Sequence, residues 1–182
     1  KLHSRIKKLE NALVNARLES KEDFLTHVSN KRALSEELKR VEEGYVRYKI
    51  DYSICFIDLD HFKTVNDTLG HEVGDVILKT IGKILQKLTR QVDIVGRYGG
   101  EEFLVILPST PLAQGVAFAQ KVRQSIEKFK FIYKNERILV TASCGVSERK
   151  NHQNQDETIQ AADKMLYEAK SAGRNQVKPT AG

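Results

Sequence analysis

Two cysteines among 182 residues cannot build a disulfide framework or a thiolate metal cage. Cys55 and Cys144 both sit in apolar runs, where a free thiol behaves as a small hydrophobe. Such usage points to a reducing compartment, the cytoplasm. The five histidines are scattered, so no histidine-held metal is indicated. Tryptophan is absent and no basic stretch is studded with aromatics, which argues against a nucleic-acid-binding surface. No apolar run approaches the length of a membrane span, and nothing resembles a signal peptide. The only methionine is Met165 and the first residue is Lys1, the pattern expected of a piece of a longer protein. A sensor domain or a membrane segment would then lie elsewhere.

What is present is ordinary in amount and particular in arrangement. A hydrophobic content of 40% supports one packed core. The net charge of +6 suits a phosphorylated small molecule, a nucleic acid or a membrane surface. Most of the charge, however, lies in mixed-sign stretches such as "EELKRVEE" and "QSIEKFK", which read as solvated helix faces.

Leu2, Ile6, Leu9, Leu13 and Ala16 alternate by four and three, an a/d seam a little over two heptads long. Residues 1–22 are therefore expected to form a linker helix that pairs two copies of the chain, the alternative being a helix packed on its own domain. Asn30 or Ser29 is placed to cap a following helix. "YSICFIDLD" reads as a buried strand, and "EVGDVILKTIGKILQKL" has helical spacing. "VDIVGRYGGEEFLVILP" reads as a β-hairpin with a glycine-rich tip. A helix beginning at Pro111, a strand in "RILVTASCGVS" and a helix stopped by Gly173 complete the chain. The order β-α-α-β-β-α-β-α predicts an α/β (α+β) domain over residues 23–178. It has a mixed sheet flanked by helices, and residues 179–182 form a tail.

The chemistry gathers at two points. Asp58 and Asp60, two apart at the end of the first strand, share a face. Glu101 and Glu102 follow two glycines, which clear side chains from the backbone where a ligand would approach. If the strand end and the hairpin tip meet, Asp58, Glu101 and Glu102 converge. Clustered carboxylates resist ionising together, and a hard divalent cation relieves that strain. Just beyond Asp58 a helix start offers backbone N–H groups, and Lys63 adds a compact positive charge. Cation, amides and lysine together describe a nucleoside triphosphate site.

"FIDLDHFKTVNDTLGHEVGD", "RYGGEEF", "TASCG" and "AADKMLYEAKSAGRN" occur in order, and this set resembles the GGDEF family of diguanylate cyclases in its GGEEF form, from about Asp23 to Asn175. The resemblance implies a palm-like fold and the condensation of two GTP into cyclic di-GMP and two pyrophosphates. It implies Mg²⁺ or Mn²⁺, two per site, held by Asp58, the Leu59 carbonyl and Glu101. Glu101 would also be the base for the ribose 3′-OH, with Glu102 contributing to the site and Lys63 on phosphate. Asn66, His71 and Asp75 would surround base and ribose, and Lys170 and Arg174 would reach the phosphates. Each of these positions has a bland alternative: Asp75 as a helix first-turn acid, Asn66 as a turn residue, His71 as a cap, Asp60 as a residue that only holds its turn.

Because one site holds one GTP, the product requires two sites face to face in a homodimer, which gives the N-terminal seam a purpose. Arg90 and Asp93 match the family's RxxD inhibitory site for cyclic di-GMP, the alternative being an ion pair of little consequence at a helix end. His27 and Val28 stand where the family carries Gly-Leu in its "DxLTGLxNRR" segment, a departure at the join between linker and domain. A silent GGDEF module that binds GTP or cyclic di-GMP as a sensor is the alternative to an active cyclase, and a polymerase-like nucleic-acid protein ranks behind both.

Overall fold

The computed structural model describes residues 1–180, without the side chains of residues 17–19. Ala181 and Gly182, the end of the expected tail, lie outside the described residues. Helix α1 (Leu2–Glu19) comes first, then α2 (Lys31–Tyr48), β1 (Tyr52–Leu59), α3 (Phe62–Leu69), α4 (His71–Leu88), β2 (Ile94–Arg97) and β3 (Glu102–Pro108). They are followed by α5 (Leu112–Lys128), β4 (Phe131–Tyr133), β5 (Glu136–Ile138), β6 (Ala142–Glu148), α6 (Gln155–Ser171) and β7 (Val177–Lys178). The main sheet runs β2-β3-β1-β6-β7, with β1 antiparallel to both neighbours and β7 parallel to β6.

β1 is buried along its whole length because helices cover both sheet faces. Cys55, Ile57 and Leu59 point into a core shared with α3, α4 and α5, while Tyr52, Ile54 and Phe56 point towards α2 and α6. By the same two-residue alternation Asp58 belongs to the α6 side. α6 can lie flat there because of Gly145: a Cβ at that position would meet the Ala162 carbonyl oxygen at 2.2 Å and the Leu166 amide nitrogen at 2.3 Å. One turn after Leu166, α6 delivers Lys170 to the end of β1.

Asn30 caps α2, its side chain accepting from the Ala33 N–H at 2.9 Å. α6 ends at Ala172, with Gly173 following at φ +116°. Two elements depart from the expected order. "RILVTASCGVS" splits between β5 and β6, and β4 and β5 form a separate two-stranded hairpin. Its turn is Lys134–Asn135, both left-handed, so it carries no glycine signal. β7 is only two residues long and is held by parallel pairing to Cys144 and Gly145.

Every described side chain of α1, from Leu2 to Ala16, is exposed, Leu2 at 74% and Leu9 at 67%. The helix packed on its own domain is therefore not what the fold contains, and the apolar seam is left uncovered. Among the described residues no helix is long and apolar enough to cross a membrane.

Candidate active site

The end of β1 and the hairpin tip meet, as the two acidic motifs require. Asp58 lies directly opposite Glu102 in the β1–β3 register, and the Leu59 N–H donates to the Glu101 carbonyl at 3.3 Å. It is thus Glu102 that stands across from Asp58 on the α6 face, with Glu101 beside it in the turn. The turn closes through the Tyr98 and Gly99 N–H groups, which donate to the Glu102 carbonyl at 2.8 and 3.1 Å. Neither signature glycine has a positive φ, and a Cβ on Gly100 would meet nothing within 4 Å. Open space beside the backbone, not turn strain, distinguishes that position.

Lys170 Nζ donates to Asp58 Oδ2 at 2.7 Å. Burial nevertheless pushes the Asp58 carboxyl upward against that ion pair, helped by Glu101 and Asp60. Glu102 rises to about 7, first through burial and then through the charges of Asp58 and Asp163. Asp163 lies seven residues before Lys170, two turns back along α6, a spacing that sequence reading could have picked out. A site with more negative charge than it can neutralise is a site suited to a cation.

No group of three or more histidine, cysteine, aspartate or glutamate side chains among the described residues is gathered tightly enough to hold an ion by itself. The expected set needs only the Asp58 and Glu101 carboxylates and the Leu59 carbonyl. Its donors are all oxygen, as Mg²⁺ and Mn²⁺ prefer. The residues present fit such an ion.

The Glu102 shift has a measurable consequence. A carboxyl whose folded value is raised contributes stability that is complete below about pH 4.5 and disappears as pH rises through about 7. Between pH 5 and 8 the metal-free protein is expected to lose on the order of 2 kcal/mol from this group, reduced by solvent screening. Urea unfolding of Glu102→Gln should show most of that pH dependence gone. An unchanged pH profile would mean that Glu102 is solvated and free of Asp58.

No side chain caps α3, and its N-cap residue His61 is left-handed. Lys63, on its first turn, is exposed. Asn66, on α3, packs its side chain against Gly74 of α4, where a Cβ would meet Asn66 Oδ1 at 1.9 Å. That buried oxygen has no hydrogen-bond partner. Asp75, next to Gly74, is exposed, as is His71 at the start of α4. Arg174 is exposed on the loop after α6.

Sequence reasoning missed Arg97. Its guanidinium donates to the Gly100 carbonyl at 2.7 and 3.1 Å and to Asp23 Oδ2 at 3.2 Å. It therefore ties the signature turn to the segment that follows α1. His27, in that segment, adopts φ +62°, the backbone region that the family's glycine enters without strain.

Arg90 and Asp93 close the turn after α4. Arg90 Nη2 donates to Asp93 Oδ1 at 2.8 Å, and the Arg90 N–H donates to Asp93 Oδ2 at 2.7 Å. The Asp93 side chain is only 2% exposed and Arg90 also reaches Thr110 Oγ1 at 2.9 Å, so the pair is more than a loose surface contact.

The family described as "Diguanylate cyclase, GGDEF domain" matches residues 20–176. Diguanylate cyclase A of Treponema denticola is 39% identical over 160 residues, 85% of this chain and 43% of the relative. Diguanylate cyclase DgcP of Pseudomonas aeruginosa is 36% identical over 172 residues, 94% of this chain and 26% of the relative. The chain thus spans less than half the length of either. Among solved structures, the coiled coil and GGDEF domain of DgcB from Caulobacter crescentus, in complex with c-di-GMP, superimposes with a TM-score of 0.84 at 26% identity. It covers 96% of this chain and 93% of that one. Diguanylate cyclase SiaD from Pseudomonas aeruginosa, in complex with its activator SiaC, gives 0.83 at 36% identity, covering 97% and 68%. The chain belongs to the GGDEF domain family of diguanylate cyclases.

Proposed function

We propose that this chain condenses two molecules of GTP into cyclic di-GMP and two pyrophosphates. The observation that carries the reading is the convergence of the β1 end and the hairpin tip, which places Asp58 across from Glu102 and beside Glu101. Asp58, Glu101 and the Leu59 carbonyl hold the Mg²⁺ or Mn²⁺ ions, two per site. When bound, the ions draw charge from the triphosphate and ease departure of pyrophosphate.

Glu101 takes the proton from a ribose 3′-OH. The new O3′–P bond forms at the α-phosphorus of the other GTP as the bond to pyrophosphate breaks. Lys63, Lys170 and Arg174 bind phosphate oxygens, and the uncapped start of α3 adds N–H donors. Glu102, across from Asp58, contributes to the site and orients its neighbours. Lys170, paired with Asp58 in the ligand-free protein, would be free to bind phosphate if a bound cation neutralised that carboxylate.

Guanine presents adjacent N1–H and N2–H₂ donors. Asn66 Oδ1, buried and unpartnered, and the Asp75 carboxylate one residue beyond Gly74 are acceptors for such an edge, and His71 borders the ribose. Gly74→Ala would displace the Asn66 side chain, whose far end can move, and shift the Phe62 ring tip, 3.1 Å from the new Cβ, by a few tenths of an ångström, without pushing on backbone. It is expected to leave the melting transition nearly unchanged, within about 1 kcal/mol, while weakening GTP binding about tenfold. Calorimetric titration with GTP and a melting curve on the same sample check both halves.

Each 3′-OH attacks the other site's GTP, so turnover needs a homodimer with sites head to tail, joined through the α1 seams. Cyclic di-GMP inhibits by binding at Arg90 and Asp93, where Arg90 would have to leave its present partners. Purified chain incubated with GTP and Mg²⁺, followed by chromatography, tests the whole reading. Cyclic di-GMP is the expected product. GTP binding without turnover in a dimeric sample would make the chain a sensor module instead.

A further inference from the structure

Asp60, two residues from Asp58 and on the same sheet face, does something different. Its side chain is buried and its carboxylate is largely satisfied by this chain's own donors. Ser143 Oγ donates to Asp60 Oδ1 at 2.7 Å. Thr141 Oγ1 and the Asn175 N–H donate to Oδ2 at 2.8 and 3.0 Å. Three of its roughly four acceptor positions are filled, which leaves little for a metal ion.

The Asn175 contact ends an unusual piece of backbone. Gly173, Arg174 and Asn175 have φ of +116°, +63° and +48°, three left-handed residues in a row. For arginine and asparagine that conformation costs free energy and persists only where the surroundings hold it. The holds are visible. The Arg174 N–H donates to the Ala169 carbonyl at 3.0 Å, and the Cys144 N–H donates to the Gln176 carbonyl at 3.0 Å. The Asn175 side chain accepts from Arg123 Nη1 at 3.0 Å and donates to Glu127. Among the described residues, the Asp60 contact is the hydrogen bond that joins the loop to the strand end that carries Asp58.

We infer that Asp60 is a positioning residue: it clamps the left-handed loop 173–175 to the end of β1 and so sets where the Arg174 guanidinium stands relative to Asp58. This rests on the reading of Arg174 as a phosphate-binding residue. The claim is specific because Asp60 then acts through Arg174, and removing both costs no more than removing Arg174 alone.

The test is a double-mutant cycle on the full chain. The probe is a GTP analogue with a methylene bridge between α- and β-phosphorus, titrated calorimetrically with Mg²⁺. Asp60→Ala is expected to weaken binding about tenfold, Arg174→Ala by a similar factor, and the double variant by no more than about tenfold. Asp60→Asn keeps an acceptor for the Asn175 N–H and should hold the loss to about threefold. Multiplicative losses approaching a hundredfold, or a folded Asp60→Ala with wild-type affinity, would overturn the inference, as would Asp60→Asn behaving like Asp60→Ala.

If Asp60→Ala does not fold, Asp60→Asn in the same cycle with Arg174→Ala decides, non-additivity supporting the clamp and additivity refuting it. Amide exchange of ligand-free protein separates the clamp from the functional reading. Protection of the Asn175 N–H should fall clearly in Asp60→Ala, and by a smaller amount in Asp60→Asn, whose neutral acceptor is weaker than the carboxylate; protection unchanged in Asp60→Ala, or in Asp60→Asn where Asp60→Ala does not fold, refutes the clamp. Wild-type protein that fails to bind the analogue refutes the phosphate-binding reading, and the exchange result then judges the clamp alone.

Discussion

Glu101→Ala is expected to remove cyclic di-GMP formation, with turnover down at least about 10³-fold, while the melting transition stays put. The residue sits in the turn between β2 and β3, partly exposed, and packs against no core. Its carbonyl, not its side chain, accepts the Leu59 N–H, so alanine keeps the strand end and hairpin tip joined. On the proposed mechanism, alanine removes the acceptor for the 3′-OH proton and one carboxylate of the cation site. GTP binding through Lys63, Asn66 and Asp75 should survive in weakened form. Quantifying product by chromatography alongside GTP titration would reveal the pattern. A variant that still turns over at near wild-type rate would place the base elsewhere.

The second large effect concerns α1. Introducing Leu9→Asp and Leu13→Asp together puts two charges into a seam whose described residues are all exposed. Eighteen residues span about 27 Å, and a seam of that length gives only marginal pairing by itself. Two buried charges should abolish it. On the proposed mechanism, in which each 3′-OH attacks the other site's GTP, activity at micromolar protein is expected to fall by about 10- to 100-fold. It should recover as protein concentration rises. Affinity for GTP should not change, because Leu9 and Leu13 are exposed and neither is among the residues read as binding GTP. Light scattering and activity measured over a concentration series check this together. Full activity from a demonstrated monomer would rule out the head-to-tail arrangement.

Sequence patterning carried the main sheet well, because its strands are continuous apolar runs and its long helices have clear periodicity. It could not separate Asp58 from Asp60. Parity puts both on one face, and the difference lies in partners 81 to 115 positions away: Thr141, Ser143 and Asn175 for Asp60, Lys170 for Asp58. Nor could it show that Glu102 rather than Glu101 stands in register with Asp58, which depends on where the glycine turn ends and β3 begins. The β4–β5 hairpin escaped because its strands are three residues long and its left-handed turn uses Lys134 and Asn135. Arg97 reads as an ordinary strand-end cation, and its bridge between Asp23 and the Gly100 carbonyl is a product of the fold alone.

The central claim is that acids from the end of β1 and from the hairpin tip share a cation that grips a guanosine triphosphate. Crystals grown with Mn²⁺ and the methylene-bridged GTP analogue, with diffraction collected at the manganese absorption edge, address it directly. Anomalous density between the Asp58 and Glu101 carboxylates, with the triphosphate alongside and Lys170 drawn off Asp58, is the predicted result. Manganese bound elsewhere, with Lys170 still seated on Asp58 beside a bound nucleotide, would contradict it.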